Sequence, residues 1–402
     1  MKQGWVIKKL GEVCEFQGGS QPPKSNFIFE PRQGFVRFLQ IRDFASDKNI
    51  TYIPESKKNR YCKEDDILLG RYGASVGKVL INKAGAYNVA VMKTLPHQKY
   101  LNKRYLFFYL SSDEFQSRLS KIASRSAQDG FSKDDIFDFP ILIPSLPEQQ
   151  SIVEVLDESF ASIAKAKANA EQNLINAKEI FESYLQSVFE NPEGNWDKKK
   201  WGELCHFVRG PFGGSLKKSI FKEDGYVVYE QKHAIHDHFN QLRYFIDEDK
   251  FNEMIRFEVK PGDIIMSCSG VTLGRVAIVP KNIKRGIINQ ALLKLTPKKN
   301  VSVHFLKHWL RSKIFQDIIF EYSGGAAIPN VPSAKILKDI LIPLPSLEEQ
   351  NQVVKNIELM YVETQKLETI YQQKINDLEE LKKSILQKAF SGELKASKEI
   401  VV

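Results

Sequence analysis

The sequence predicts a mixed α/β chain of two tandem domains, each followed by a long helix. Three observations carry this: an internal repeat that covers nearly the whole chain, two stretches of unbroken helical spacing, and charge that alternates block by block. The repeat period is far longer than that of a solenoid, so the chain is a duplicated unit rather than an array. It divides into a domain over 1–147, a helix over 148–190, a second domain over 191–347, a second helix over 348–392 and a tail over 393–402.

The repeat is read residue by residue. Trp5, Lys8, Lys9, Gly11, Glu12, Cys14, Phe16 and Gly19 recur as Trp196, Lys199, Lys200, Gly202, Glu203, Cys205, Phe207 and Gly210, all at an offset of 191, and Gln40 meets Gln231 at the same offset. Asp66-Ile67, Gly73, Gly77 and Lys78 recur as Asp263-Ile264, Gly270, Gly274 and Arg275 at an offset of 197. Pro144-Ser145-Leu146 and Glu148-Gln149 return as Pro345-Ser346-Leu347 and Glu349-Gln350 at an offset of 201, which then holds to Phe189 and Phe390. Insertions thus fall inside the globular part, where loops tolerate them, and stop where helical register begins.

Within each domain the pattern favours short strands. Val36–Ile41 and Tyr226–Tyr229 read as equivalent strands; Ile67–Leu69 with Val76–Ile81, and Ile264–Val279, read as hairpins around glycine turns. One helix is expected over Lys103–Ile122 and its counterpart over Val303–Phe320. Proline closes each domain, and Glu148 and Glu349 fall in the first turn of the helix that follows.

The two long segments carry apolar seams at 4-3 spacing. The first runs Ile152, Leu156, Ser159, Ile163, Ala166, Ala170, Asn173, Ala177, Ile180, Tyr184. The second runs Val353, Ile357, Met360, Thr364, Leu367, Tyr371, Lys374, Leu378, Leu381, Ile385. Heptads sustained this long predict a coiled coil. The small residues of one seam suit the large ones of the other, in either direction, and Asn173 and Lys374 are polar core positions that could set register. A coil between two copies of the chain is the competing arrangement.

Charge separates domains from helices. Residues 1–147 hold 23 basic against 15 acidic side chains and 191–347 hold 24 against 16, whereas 148–190 hold 3 against 8 and 348–402 hold 8 against 10. Two basic domains suggest two surfaces for a polyanion. The four cysteines, Cys14, Cys62, Cys205 and Cys268, form no CxxC pair, which argues against a zinc ribbon or disulfide framework and fits a reducing compartment. No signal-type leader or membrane-length apolar run is present, so a cytoplasmic location is expected.

Catalytic patterns fail when counted. Gly73-Ala74-Ser75-Val76-Gly77-Lys78-Val79 is one residue too short for a phosphate loop and lacks its Ser/Thr, so it reads as a hairpin turn. His304 and His308 enclose Phe305 where a metalloprotease needs glutamate, and His233, His236 and His238 lack further ligands nearby. Asn191-Pro192-Glu193-Gly194 lacks the second proline and ring of an adenine methyltransferase. Asp224, Glu230 and Lys232 loosely fit a magnesium-dependent nuclease, and that is the enzymatic alternative; a structural coiled-coil protein is a third.

What remains are polar and basic loops at matching points. The first pair contributes Ser20, Gln21 and Lys24 against Ser215, Lys217 and Lys218; the second, Gln40 and Arg42 against Gln231, Lys232 and His233. The third contributes Arg71 and Tyr72 against Ser267 and Ser269, and the fourth Arg125 and Gln128 against Asn330. These types hydrogen-bond base edges and phosphates, so they are the candidate DNA-binding residues.

With these residues in view, the chain resembles the specificity subunits of bacterial type I restriction–modification systems. The most specific marks are Leu341-Ile342-Pro343-Leu344-Pro345-Ser346-Leu347-Glu348-Glu349-Gln350 and Ala389-Phe390-Ser391-Gly392-Glu393-Leu394, and the likeness spans Trp5 to Phe390; the first copy departs at Ile141–Ser145, one proline short. The resemblance implies a non-catalytic subunit whose two target recognition domains read a split, asymmetric site on double-stranded DNA, with the two helices antiparallel as a spacer. It implies two methyltransferase (M) and two restriction (R) subunits as partners, which bring S-adenosylmethionine, ATP and magnesium, and no membrane association.

Overall fold

The computed structural model describes residues 4–124, 130–192, 194–322 and 329–394. The chain forms two compact units, Met1–Glu171 with Gln372–Val402, and Gln172–Tyr371. Each unit therefore holds one globular domain, a piece of the first long helix and a piece of the second.

In unit 1, Val6–Lys9 pairs antiparallel with Pro140–Ile143 and brings the two ends of the domain together. A four-stranded antiparallel sheet follows in the order Cys14–Gly18, Val91–Pro96, Leu68–Gly70, Val79–Leu80. The second sheet runs Tyr52–Pro54, Phe35–Leu39, Gly85–Tyr87, Tyr61–Cys62, with Phe35–Leu39 parallel to Gly85–Tyr87. Unit 2 repeats this frame. Asp197–Lys200 pairs with Leu341–Leu344, one sheet runs Cys205–Arg209, Leu292–Pro297, Ile264–Ser267, Val276–Ile278, and a three-stranded sheet runs Phe245–Ile246, Tyr226–Tyr229, Gly286–Ile288. Extra residues of the second copy form the helices Gln231–His236 and Glu248–Glu253, where unit 1 has a 3₁₀ turn at Ile41–Phe44 and a two-residue strand.

Both expected hairpins form. Their turns are tied down by Gln116, whose Nε2 donates to Gly77 O at 2.8 Å, and by Gln316, which donates to Gly274 O at 3.2 Å. Gly77 and Gly274 sit at φ +78° and +75°, and a Cβ on Gly77 would lie 2.4 Å from Gln116 Oε1, so the recurrence of glycine here has a steric cause. The repeated Asp66 and Asp263 accept from the backbone N–H three residues upstream, at 2.9 and 2.8 Å.

The expected single helices are each two helices. Lys103–Ser111 gives way to Asp113–Ala123, and Val303–Arg311 to Lys313–Tyr322. Ser112 and Ser312 stand at the breaks with ψ near 150°, and their hydroxyls accept from Phe115 N and Phe315 N at 3.4 Å. A serine that caps a new helix stops the old one, because the cap requires extended backbone.

The long helices span Leu146–Glu190 and Leu347–Ser391, 45 residues each, or about 68 Å. Inside unit 1, the start of the first (Ile152, Val153, Leu156, Ile163) shares a core with the end of the second (Leu378, Ile385, Leu386, Ala389, Phe390). Inside unit 2, the end of the first (Leu185, Phe189) shares a core with the start of the second (Val354, Ile357). The helices are therefore antiparallel, and the pairing is within one chain. The strict 4-3 seam is not followed to its end in the first helix and is interrupted in the second. Ile180, Leu367 and Leu381 are 46, 37 and 38 % exposed, Lys374 is exposed, and burial moves to Phe181, Leu185 and Phe189 in steps of four. A straight helix drifts about 20° per heptad against a 3.5 repeat, so in the first helix the extrapolated seam rotates off the buried face, whereas in the second it returns to the core at Leu378 and Ile385. Lys374 is not a core position.

The motifs behind the family resemblance are structural. Buried Gln149 donates to Tyr100 O and Pro144 O at 2.8 and 2.9 Å and accepts from Asn102 N at 2.8 Å; buried Gln350 repeats this with Asn300 O, Pro345 O and Ser302 N. Each pins the start of a long helix to its domain. Phe390 packs on Tyr105 and Tyr109 at 5.0 and 5.7 Å, and Phe189 on Phe305 at 5.6 Å. Thus the first helix, which leaves unit 1, ends by plugging the core of unit 2, and the second ends in unit 1. Gly392, at φ +81°, ends the second helix with Glu393 N and Leu394 N donating to Lys388 O at 3.0 Å.

Candidate nucleic-acid interface

The polar loops converge at one end of the four-stranded sheet in each unit. In unit 1, Gly18 stands opposite Met92 and Gly70 opposite Val91, so the chain leaves the sheet there on both sides of the strand that begins at Val91. The turn Asn88–Ala90 lies between them and collects the loops. Ser20 N donates to Tyr87 O at 3.1 Å, Asn88 N to Leu39 O at 3.1 Å, and Arg71 N to Ala90 O at 2.9 Å. Gly19 approaches so closely that a Cβ would lie 1.9 Å from Asn88 O. Ser20, Gln40 and Arg71, far apart in sequence, are thereby gathered around one turn.

Unit 2 reproduces the frame with one bond fewer: Gly210 N donates to Leu292 O at 2.9 Å as Gly19 N does to Val91 O at 3.1 Å, whereas Pro211, at the place of Ser20, has no N–H to donate. Arg209 pairs with Leu293 and Ser267 with Leu292; Asn289 N donates to Tyr229 O at 3.0 Å and Cys268 N to Ala291 O at 2.9 Å. A Cβ on Gly210 would lie 1.9 Å from Asn289 O. Ser269 bridges to Asn330, as Tyr72 does to Gly130.

These bonds correct one equivalence. Leu39 O and Tyr229 O accept from matching amides, so Gln40 corresponds to Glu230 and Arg42 to Lys232; the coincidence of Gln40 with Gln231 is one residue out of register. The turns confirm it: Gln40 N donates to Asp43 Oδ2 at 2.7 Å, and Glu230 N to His233 Nδ1 at 2.9 Å. His233 is therefore a buried cap, the counterpart of buried Asp43, and not a DNA-contacting side chain. Burial lowers its pKa. Ser267 is likewise corrected: it is fully buried at a strand end, donating to Thr272 O and accepting from Arg275 N at 3.2 Å.

The other candidates differ in how far they reach solvent. Gln21, Lys24, Arg42, Tyr72, Lys217, Lys218 and Asn330 are exposed; Ser20, Gln40, Arg71, Ser215, Gln231, Lys232 and Ser269 are partly so. Arg71 is engaged with the loops it joins, donating to Phe131 O at 3.2 Å and Val89 O at 3.4 Å. Gln231 donates to Ser269 O, and Lys232 to Gln241 O at 2.7 Å. Arg125 and Gln128 lie outside the described residues. The sequence reading missed the central turn, although Asn88-Val89-Ala90 and Asn289-Gln290-Ala291 recur at an offset of 201. Val89 and Gln290 are exposed at its tip.

The electrostatics suit a polyanion. Residues 67–112 contain seven Lys or Arg and no acid, and residues 264–316 contain ten and no acid. The carboxylates of the nuclease alternative are spent on ion pairs, Asp224 with Lys284 at 2.5 Å and Glu230 with Lys232 at 3.3 Å. All four thiols are buried, and burial pushes Cys14, Cys205 and Cys268 up to about 12 and Cys62 to about 11, far from a reactive thiolate. Among the described residues, no three His, Cys, Asp or Glu side chains are grouped to hold a metal ion, and no helix is long and apolar enough to cross a membrane.

Comparison with known proteins identifies the family and the fold. The family described as type I restriction modification DNA specificity domain matches residues 2–174 and again 193–380. The EcoBI type I restriction enzyme specificity subunit of Escherichia coli is 26% identical, covering 98% of this chain and 86% of its own length. The MjaVIII specificity subunit of Methanocaldococcus jannaschii is 24% identical over 98% and 93%. The crystal structure of the HsdS subunit from Thermoanaerobacter tengcongensis superposes with a TM-score of 0.66 at 18% identity, covering 98% of both chains. A chain from a type I R-M assembly superposes with a TM-score of 0.77 at 18% identity, covering 98% of this chain and 99% of its own.

Proposed function

The chain belongs to the type I restriction–modification DNA specificity family, and from that premise we propose that it reads a split, asymmetric site on double-stranded DNA, one half-site per unit. The observation that carries this reading is the convergence of matched polar loops around the Asn88–Ala90 and Asn289–Ala291 turns, each within a long acid-free segment. Cations draw the phosphates in, and the amides and hydroxyls at the turn select bases. Side chains differ between the turns while the bonds of Asn88 and Asn289, of Gly19 and Gly210, and of Arg71 and Cys268 recur, as two readers of different half-sites require.

The antiparallel helices act as the spacer. Two M and two R subunits dock on the chain and bring S-adenosylmethionine, ATP and magnesium; the chain itself contributes recognition, not chemistry. Its phosphate-loop-like segment is a hairpin turn, and its nearest methyltransferase-like string lacks the stacking ring. A cytoplasmic location goes with this role. The test is methylated-adenine mapping in cells that carry the chain with its own M subunits: a two-part motif with a fixed gap is expected, and methylation at one uninterrupted motif would contradict the reading. The purified chain alone is expected to transfer no methyl group and cut no DNA with magnesium; magnesium-dependent cleavage would favour the nuclease alternative.

A further inference from the structure

The sheet end of unit 2 carries two side chains that burial alone does not explain. Phe212 is 91 % exposed and Val271 88 % exposed. Leaving a phenylalanine in water rather than burying it forgoes about 1.5–3 kcal/mol, so a ring held out this far calls for an occupant. Phe212 lies in the loop that leaves the sheet at Arg209, and Val271 in the loop that leaves at Ser267. These exits are bonded to Leu292 and Ala291 respectively, one on each side of the strand that follows the Asn289–Ala291 turn.

The surroundings indicate what that occupant is. Residues 204–222 contain Arg209, Lys217, Lys218 and Lys222 and no acid, and 264–316 contain no acid either. A protein-docking surface has a contiguous apolar core depleted of charge. Here single apolar tips stand among cations and amides, the arrangement by which DNA-bending proteins insert a wedge between base pairs. By the repeat offsets, Gln21 and Ala74 stand where unit 2 has Phe212 and Val271, and the exposed ring of the matching unit 1 loop, Phe29, lies eight residues further on, beside the Ile28–Tyr52 bridge and away from the sheet end.

We propose that Phe212 inserts at a base step of the half-site read by unit 2, with Val271 of the neighbouring loop against the same half-site, so that this half-site is unstacked while the other stays stacked. The inference rests on the DNA-reading function above. The test uses the full chain assembled with its M subunits on a duplex carrying its mapped site, with 2-aminopurine placed in turn at each position and the methylated adenines scored separately. One position in the unit 2 half-site brightens on binding. Phe212→Ala abolishes that signal and weakens binding about tenfold or more, Phe212→Trp keeps the signal, and the melting temperature stays unchanged because the ring packs on nothing. An unchanged signal and affinity in Phe212→Ala would overturn the proposal. So would loss of M-subunit co-purification with the DNA signal intact, which would make the ring a protein contact. A wild-type complex that protects no sequence in a footprint would instead overturn the DNA-reading function itself.

Discussion

Where the chain leaves the central strand, unit 1 has Arg71 and unit 2 has Cys268. Both backbone amides make the same bond, to Ala90 O and Ala291 O. The side chains have nothing in common: one is a guanidinium bonded to Phe131 O and Val89 O, the other a sealed thiol raised to about 12 by burial. Asp43 and His233 make a similar pair, doing one capping job with opposite acid–base character. The frame of the repeat is thus held by main-chain bonds, close-approach glycines and a few buried plugs, which leaves the side chains at the sheet end to diverge.

The plugs are where the two units break most cleanly. Phe390→Ala should cost unit 1 about 3–5 kcal/mol, and Phe189→Ala should cost unit 2 the same. Hydrogen exchange resolved by unit checks this, because the substituted helix end lies far in sequence from the domain it destabilises in unit 1. Protection lost around Trp309 in Phe390→Ala, with Tyr105 and Tyr109 unaffected, would reverse the assignment.

Acid should separate the units next. His308 is pushed down to about 4, first by burial and then by Lys307, Arg311 and His304, against the opposing pull of Asp237. Its folded pKa lies below the ordinary 6.5, so its contribution is complete above pH 6.5 and is lost as pH falls from 6.5 to 4, by at most about 3 kcal/mol. Unit 2 exchange rates should rise across that window and flatten in His308→Gln. An identical pH profile in the variant would remove His308 from the account.

Much of this plan was legible in the sequence, for reasons that also explain the gaps. The repeat, the hairpins and the long helices follow from periodicity and glycine spacing, which report backbone geometry directly. The breaks at Ser112 and Ser312 were masked because apolar periodicity resumes one residue later. The slip between Gln40 and Gln231 arose because a chance identity outweighed a one-residue insertion that only the bonds to Asn88 and Asn289 reveal. His233 looked like a reader because histidine is rarely a cap. Lys374 looked buried because it falls on the heptad seam, in the stretch between half-exposed Leu367 and buried Leu378 where that seam faces solvent. The Asn-x-Ala turns were missed although their spacing was intact, since their side chains are unremarkable and their importance lies in the loops they collect.

The spacer reading gives a smaller, geometric effect. Inserting four residues near Asn169 adds about 6 Å of helix and restores the seam after a local stutter. Both half-sequences should persist and the gap should widen by at most about two base pairs, at about 3.4 Å of rise each. Two inserted residues turn the seam by about 200° and should impair folding. An unchanged gap with full methylation would mean the helices do not set the spacing.

The claim that each unit reads its own half-site is tested most directly by two paired variants, mapped by adenine methylation with the normal M subunits present. Gln40 and Arg42 replaced together should relax or shift one half-sequence only, and Gln231 with Lys232 only the other, each lost base contact costing about 1–3 kcal/mol of discrimination. Weakening of both half-sequences to the same degree by either pair would contradict the account, because it would mean that these side chains hold phosphates and that the two units do not read separately.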